Sequence, residues 1–228
     1  MKRALLSALA CLALPLTANA SIVYNSWVTN EGDSGNYILT ITDQSDGDYS
    51  FELTVDPWNA EALALYVDLG DKDVSSLAIL GDSVQTDPYV GGSVSILATD
   101  VAPDENQPFQ ACSACKLNGL NAPVIEPDGE WEMVFQLGET GYEGIQSFSW
   151  ILTGLYDISE SDFGLIGIRA QNLCEDDSLL TEESSSGCGG SDKSYNDVPN
   201  VPLPAAVWLF GSALIGFAGF GKYRRSHA

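Results

Sequence analysis

Three stretches of this chain alternate with a period of two. Tyr37, Leu39 and Ile41 interleave with Ile38, Thr40 and Thr42; Phe51, Leu53 and Val55 with Glu52, Thr54 and Asp56; Trp131, Met133, Phe135 and Leu137 with Glu132, Val134 and Gln136. Successive side chains of a strand point to opposite faces, so each stretch offers one apolar face and one more polar face, the signature of a half-buried β-strand. Further strands are expected near Ile22–Val28, Ala62–Leu69, Leu77–Leu80, Val94–Ala98, Ser147–Leu152 and Phe163–Ala170, parted by turn formers such as Asp46-Gly47-Asp48 and Asp128-Gly129. No amphipathic run of helical period separates them, and a parallel sheet would need crossover helices. The expected fold is therefore all-β, one antiparallel β-sandwich of immunoglobulin-like or jelly-roll type.

The pattern fails at both ends. Lys2 and Arg3 precede an apolar stretch from Ala4 to Leu16, and Thr17-Ala18-Asn19-Ala20 places small residues where a signal peptidase inspects the chain. Residues 1–20 thus read as a signal peptide. Lipidation at Cys11 is the rival reading, but it would need an aliphatic residue where Ala8 stands. The sandwich is expected over 21–173, followed by a flexible Ser/Gly/acidic stalk over 174–200. Between the ends lie all 32 acidic residues and only Lys72, Lys116, Arg169 and Lys193 as cations, a net charge of −28 for that part. Such a field excludes nucleic acid and anionic lipid surfaces as partners, and its self-repulsion is relieved by salt or divalent cations.

Chemistry is narrowed by an absence. His227 is the only histidine and lies near the C-terminus, so histidine-dependent triads and histidine-ligated zinc are closed to the exported part. Four cysteines remain after residue 20, an even number suited to an oxidising compartment, and spacing favours Cys112 with Cys115 and Cys174 with Cys188. A four-thiolate zinc site would need a tighter second pair, and redox catalysis by Cys112-Ser113-Ala114-Cys115 would need a helix start rather than a proline-rich loop. No cofactor is called for; calcium is the ion that the carboxylates of Asp43, Asp46 and Asp48 would suit, against an ordinary acidic hairpin turn. Asp68, Asp71 and Asp73 form a second such group. Trp58, after Asp56-Pro57, is the aromatic expected to be exposed and the one that would stack on a sugar, whereas Trp131 and Trp150 are expected in the core. Paired carboxylates for glycoside hydrolysis discriminate nothing in so acidic a chain, and the reading is not an enzyme.

From residue 201 the chain reads VPLPAAVWLFGSALIGFAGFGKYRR. Ala205 to Gly221 is an apolar run of about 17 residues, some 25 Å as a helix and near the short limit for crossing a bilayer. Lys222, Arg224 and Arg225 would hold its far end in the cytoplasm. A plain single-pass anchor explains the run and its basic end but not the prolines. Proline motif, Trp-Leu-Phe-Gly-Ser helix and basic cluster, in that order, strongly resemble the PEP-CTERM sorting signal of Gram-negative bacteria in its Val-Pro-Leu-Pro-Ala variant. The resemblance implies recognition of Val201, Pro202, Leu203 and Pro204 by an exosortase, a transient helix over 205–221 in the inner membrane, stop-transfer by Lys222, Arg224 and Arg225, and delivery to the cell surface or extracellular matrix. Leu203 departs from the glutamate of the common form. Two runs, Gly167-Ile168-Arg169-Ala170-Gln171-Asn172 and Gly190-Ser191-Asp192-Lys193, look similar to the segment preceding this signal in such proteins. Ectodomains of that class vary widely and are often associated with exopolysaccharide or biofilm, which is what the resemblance implies here. A surface carbohydrate-binding module is the alternative function.

Overall fold

The computed structural model describes residues 21–29, 32, 34–85, 94–102, 112–117, 129–138, 146–174 and 188–196. Ala20–Leu203 form one compact unit, to which all of these belong. Among the described residues there are strands, one short 3-10 turn at Glu160–Asp162, and no α-helix.

The strands are β1 (Ser21–Tyr24), β2 (Val28–Thr29), β3 (Tyr37–Ser45), β4 (Asp48–Val55), β5 (Glu61–Val67), β6 (Ala78–Gln85), β7 (Ser95–Val101), β8 (Trp131–Gln136), β9 (Gln146–Thr153), β10 (Ile166–Cys174) and β11 (Cys188–Asn196). They form two antiparallel sheets. The first has the order β1-β3-β4-β9-β6 and the second β2-β11-β10-β5-β8-β7. Neighbours β4 and β9 of the first sheet are each followed in sequence by β5 and β10, which pair in the second. The chain thus crosses between sheets twice beside itself, locking the layers together.

The alternation read from the sequence is what builds the first sheet. Tyr49, Phe51, Leu53 and Val55 of β4 are buried while Glu52 is exposed, and β9 buries Phe148, Trp150 and Leu152 between Ser147, Ser149 and Ile151. These inward residues meet Phe135 from the second sheet. Phe51 stacks on Trp150 at 5.0 Å and 14°, and Phe135 lies 5.3 Å from Trp150 and 5.8 Å from Phe51. Each such ring pair adds roughly 0.5–1.5 kcal/mol beyond its buried area.

The centre of the second sheet is different because both its faces are covered. Every residue of β5, from Glu61 to Val67, is buried. On its outer side Leu63, Tyr66, Val134 and Trp131 join Cys112, Cys115 and Leu117 in a second apolar cluster. The cysteine-bearing part of the proline-rich loop therefore lies on the sheet. Gly167 makes room: a Cβ there would stand 2.6 Å from Leu117 Cδ2 and 3.1 Å from Trp131. Tyr66 donates from its hydroxyl to Cys115 O at 2.5 Å, tying loop to strand.

Three sequence expectations are corrected. The strand expected over Ile22–Val28 is two, β1 in the first sheet and β2 in the second, because the chain changes layer where Trp27 donates to Tyr37 O at 2.8 Å and packs edge-on against that ring. The strand expected from Phe163 starts at Ile166, since Gly164 and Leu165 instead hydrogen-bond Asp68. Most consequential, the sandwich does not end at 173. Residues 188–196 of the expected stalk are β11, paired with β10 from Ile166↔Asn196 to Cys174↔Cys188. The two runs singled out beforehand are thereby cross-strand partners, with Arg169 opposite Lys193 and Ala170 opposite Asp192.

Candidate functional site

The residues nominated for ligands do not gather into a site. Asp43, Asp46 and Asp48 flank the tight β3–β4 turn, where Ser45 and Asp46 take positive φ of 77° and 56°. Asp43 Oδ1 is used locally, accepting from Ser45 N at 2.7 Å. Leu155 N donates to Gly47 O at 3.0 Å, so the following segment packs on the turn. Among the described residues no three histidine, cysteine or acidic side chains are grouped as metal ligands would be. The second group also divides. Asp68 is buried and accepts from Gly70 N at 2.8 Å and Leu165 N at 3.2 Å, whereas Asp73 turns outward and caps Ser75 N at 2.9 Å. The Ser75 hydroxyl and amide hold the Asp73 carboxyl below its ordinary range.

Trp58 overturns its expectation outright. It is 6% exposed and belongs to the core between the sheets, so it presents no face for a sugar. The crossing from β4 to β5 explains this: Asp56 and Pro57 are exposed, as their turn chemistry implies, but the next residue dives inward toward buried Asn59 and Ala60. Asn59 secures the crossing by accepting from Asn36 N at 2.7 Å and donating to Ser34 O at 3.2 Å. Trp131 and Trp150 are buried, as expected.

Cysteine pairing follows the spacing. Cys112 bonds Cys115, and Cys174 bonds Cys188. With all four sulfurs oxidised in local pairs, neither a four-thiolate zinc site nor a dithiol centre exists in this state of the protein.

What the sequence did not nominate is a fully buried carboxylate in the stretch read as stalk. Asp192 of β11 accepts from Ser194 Oγ at 2.6 Å, Tyr37 OH at 2.7 Å, Gly35 N at 2.9 Å and Thr29 Oγ1 at 3.1 Å. These donors come from β2, β3, the segment before β3, and β11 itself, so one side chain joins the edge of the second sheet to the first. Burial and the nearby Asp192 charge push the Tyr37 hydroxyl well above its usual range, which keeps it a proton donor. A Cβ on Gly35 would fall 2.2 Å from the Tyr37 ring, so only glycine brings its amide to the carboxylate. Arg169 Nη1 donates to Asp192 O at 3.2 Å from the neighbouring strand. Charge-assisted bonds of this kind are about twice as strong as neutral ones. Their arrangement is that of a latch: each donor is a structural group, and the carboxylate is sealed from solvent. Asp192 does stand in one of the two runs singled out in the sequence, Gly190-Ser191-Asp192-Lys193.

Other buried acids are likewise occupied. Glu61 accepts from Gln171 Nε2 and Asn172 Nδ2, each at 2.8 Å, and Glu132 accepts from Leu69 N. The surface pair Lys72–Asp162, at 3.2 Å, fastens the 3-10 turn. Burial opposes ionisation of Asp162, but the Ser159 amide and hydroxyl together with Lys72 outweigh it and lower its pKa.

Val201–Pro204, the run from 205 to 221, and Lys222, Arg224 and Arg225 lie outside the described residues. Among those that are described, no helix is long and apolar enough to cross a membrane. Compared with known protein families, curated proteins and solved structures, the chain matches none of them.

Proposed function

We propose that this is an exported, non-catalytic surface or matrix protein of a Gram-negative bacterium, delivered through an exosortase and associated with exopolysaccharide or biofilm. The observation that carries the reading is the ordered C-terminus: a proline motif at Val201–Pro204, an apolar run, then Lys222, Arg224 and Arg225. Two disulfides in the sandwich support an oxidising destination. The layer-crossing connections support the immunoglobulin-like or jelly-roll type of sandwich expected from the sequence. In this reading the helix over 205–221 holds the chain in the inner membrane until the exosortase cleaves near the motif.

Burial of Trp58 removes the sequence argument for a carbohydrate-binding module, so that alternative is not carried forward. The position of β11 also alters the processing picture. Only residues 197–200 separate the last strand from the motif, so the enzyme would work beside a folded domain rather than at the end of a long tether.

Mass spectrometry of the protein recovered from cells with and without the exosortase tests the proposal. Loss of the segment beyond the motif is expected only where the enzyme is present. An intact C-terminus in both strains would restore a permanent single-pass anchor and end the processing claim.

A further inference from the structure

The outer face of the first sheet is unlike the rest of this acidic molecule. Across β1, β3, β4 and β9 its outward residues are mostly serine, threonine and aliphatic, and its cross-strand rows run Ser21-Thr42-Ser50-Ile151 and Val23-Thr40-Glu52-Ser149. Hydroxyls bond across it, as Ser21 with Thr42 at 2.9 Å and Gln44 with Ser50 at 3.0 Å. Glu52 is the one carboxylate inside these rows. Three of the five large apolar side chains exposed on the described surface stand here: Ile38 at 44%, Leu80 at 46% and Ile151 at 40%. Leu80 and Ile151 are direct cross-strand partners, which makes them a single apolar patch.

We propose that this face is a self-association surface, on which a second copy of the chain packs sheet to sheet about a two-fold axis. Charge selects the occupant. Two molecules whose residues 21–200 each carry a net charge of −28 repel wherever their carboxylates meet, and a face whose two central rows hold one carboxylate, with Asp48 at its margin, is where they approach at least cost. The absence of aromatic residues from the rows named above removes the stacking platform that a glycan would use. Four strands of about eight residues and the four-residue β1, at about 4.8 Å spacing and about 3.4 Å rise, give roughly 600 Å² per copy. That lies somewhat below the roughly 800 Å² per partner of a standard stable interface, so the dimer is weak and forms where the protein is concentrated. The proposal rests on the sandwich's charge distribution and holds whether or not an exosortase processes the chain.

Salt gives a distinctive sign. An interface held by ion pairs weakens as salt rises, whereas this one strengthens, because screening removes repulsion while apolar contact persists. Sedimentation velocity of the exported protein, purified from the producing cells with whatever C-terminus it carries, is the test. Raising sodium chloride from about 0.05 to 0.5 M should tighten dimerisation about tenfold. Ile151→Asp should weaken it about tenfold or more, and Glu52→Gln should tighten it several-fold, two effects of opposite sign that misfolding cannot produce together. A protein monomeric under all these conditions, as it would be if another part of the chain or a neutral glycan covered the face, overturns the proposal. So does a dimer that weakens with salt, or one indifferent to both substitutions.

Discussion

The two sheets use the same antiparallel pairing to opposite ends. In the first, inward Phe51, Leu53 and Trp150 alternate with outward Glu52, Thr54 and Ile151, so one face is core and the other is solvated. In the second, β5 is buried on both sides, between the aromatic core and the Cys112–Leu117 segment. Alternation records one-sided burial in β3, β4 and β9 and is missing from β5, but it is no proof of an open face: β8 alternates in sequence and is nonetheless buried on both sides, Glu132 included. The contrast also divides the labour. The second sheet holds both disulfides and the buried acids Glu61, Glu132 and Asp192, while the first keeps a plain face outward.

The largest effect that would test this contrast should come from alkaline pH. Burial raises the hydroxyl pKa of Tyr24 and Tyr37 in the first sheet and of Tyr66 on the covered side of the second above the ordinary value. Their stabilisation is complete below about pH 10, where the unfolded tyrosines are still protonated, and is lost as pH rises toward the folded values. Three groups give a slope of up to about 4 kcal/mol per pH unit. Unfolding followed by circular dichroism and tyrosinate absorbance followed near 295 nm should rise together; ionisation that precedes unfolding would mean that Tyr66 is not sealed by its loop.

Next in size are the two outward faces. Trp131→Ala in the second cluster should cost about 3–5 kcal/mol in urea denaturation, as for a buried core aromatic. A cost below about 1 kcal/mol would show that the loop does not cover that face in solution. Reduction of Cys174–Cys188, separated by 14 residues, should cost about 3 kcal/mol, and that of Cys112–Cys115, separated by three, about 2 kcal/mol. Paired serine variants compared by thermal melting would show whether the order holds. Smallest is Thr40→Ala on the open face, expected within about 0.5 kcal/mol. A larger loss would mean that something in the isolated molecule packs there.

Most of the architecture was legible because β3, β4 and β9 wear their burial openly. Two signals were present but harder to interpret. Ala62-Leu63-Ala64-Leu65-Tyr66-Val67 is apolar at both parities, which is what burial on two sides requires, yet it says nothing of which segment supplies the second layer. In β11, Asp192, Ser194 and Asn196 are the buried positions. The alternation exists there with its polarity inverted, since hydrogen bonds to Tyr37, Thr29 and Ser26 replace apolar contact. A composition of glycine, serine and charge therefore read as a stalk. Trp58 was misread for a related reason: Pro57 marks a turn faithfully, but a turn between two layers delivers the next side chain to the interior.

The strand nearest the C-terminus is also the one through which any pull on that end would enter the domain. Asn196 and Ser194 sit in its most heavily fastened portion, flanked by β2 and β10 and held to the first sheet through Asp192. If shear tore the whole of β11 from its ladder, residues 189–196, which span no more than about 28 Å when fully extended, would draw taut on Cys188. From there it would pass covalently to Cys174 and into β10, an interior strand of the second sheet. A domain so built yields by a short, fixed distance and then holds at a covalent bond.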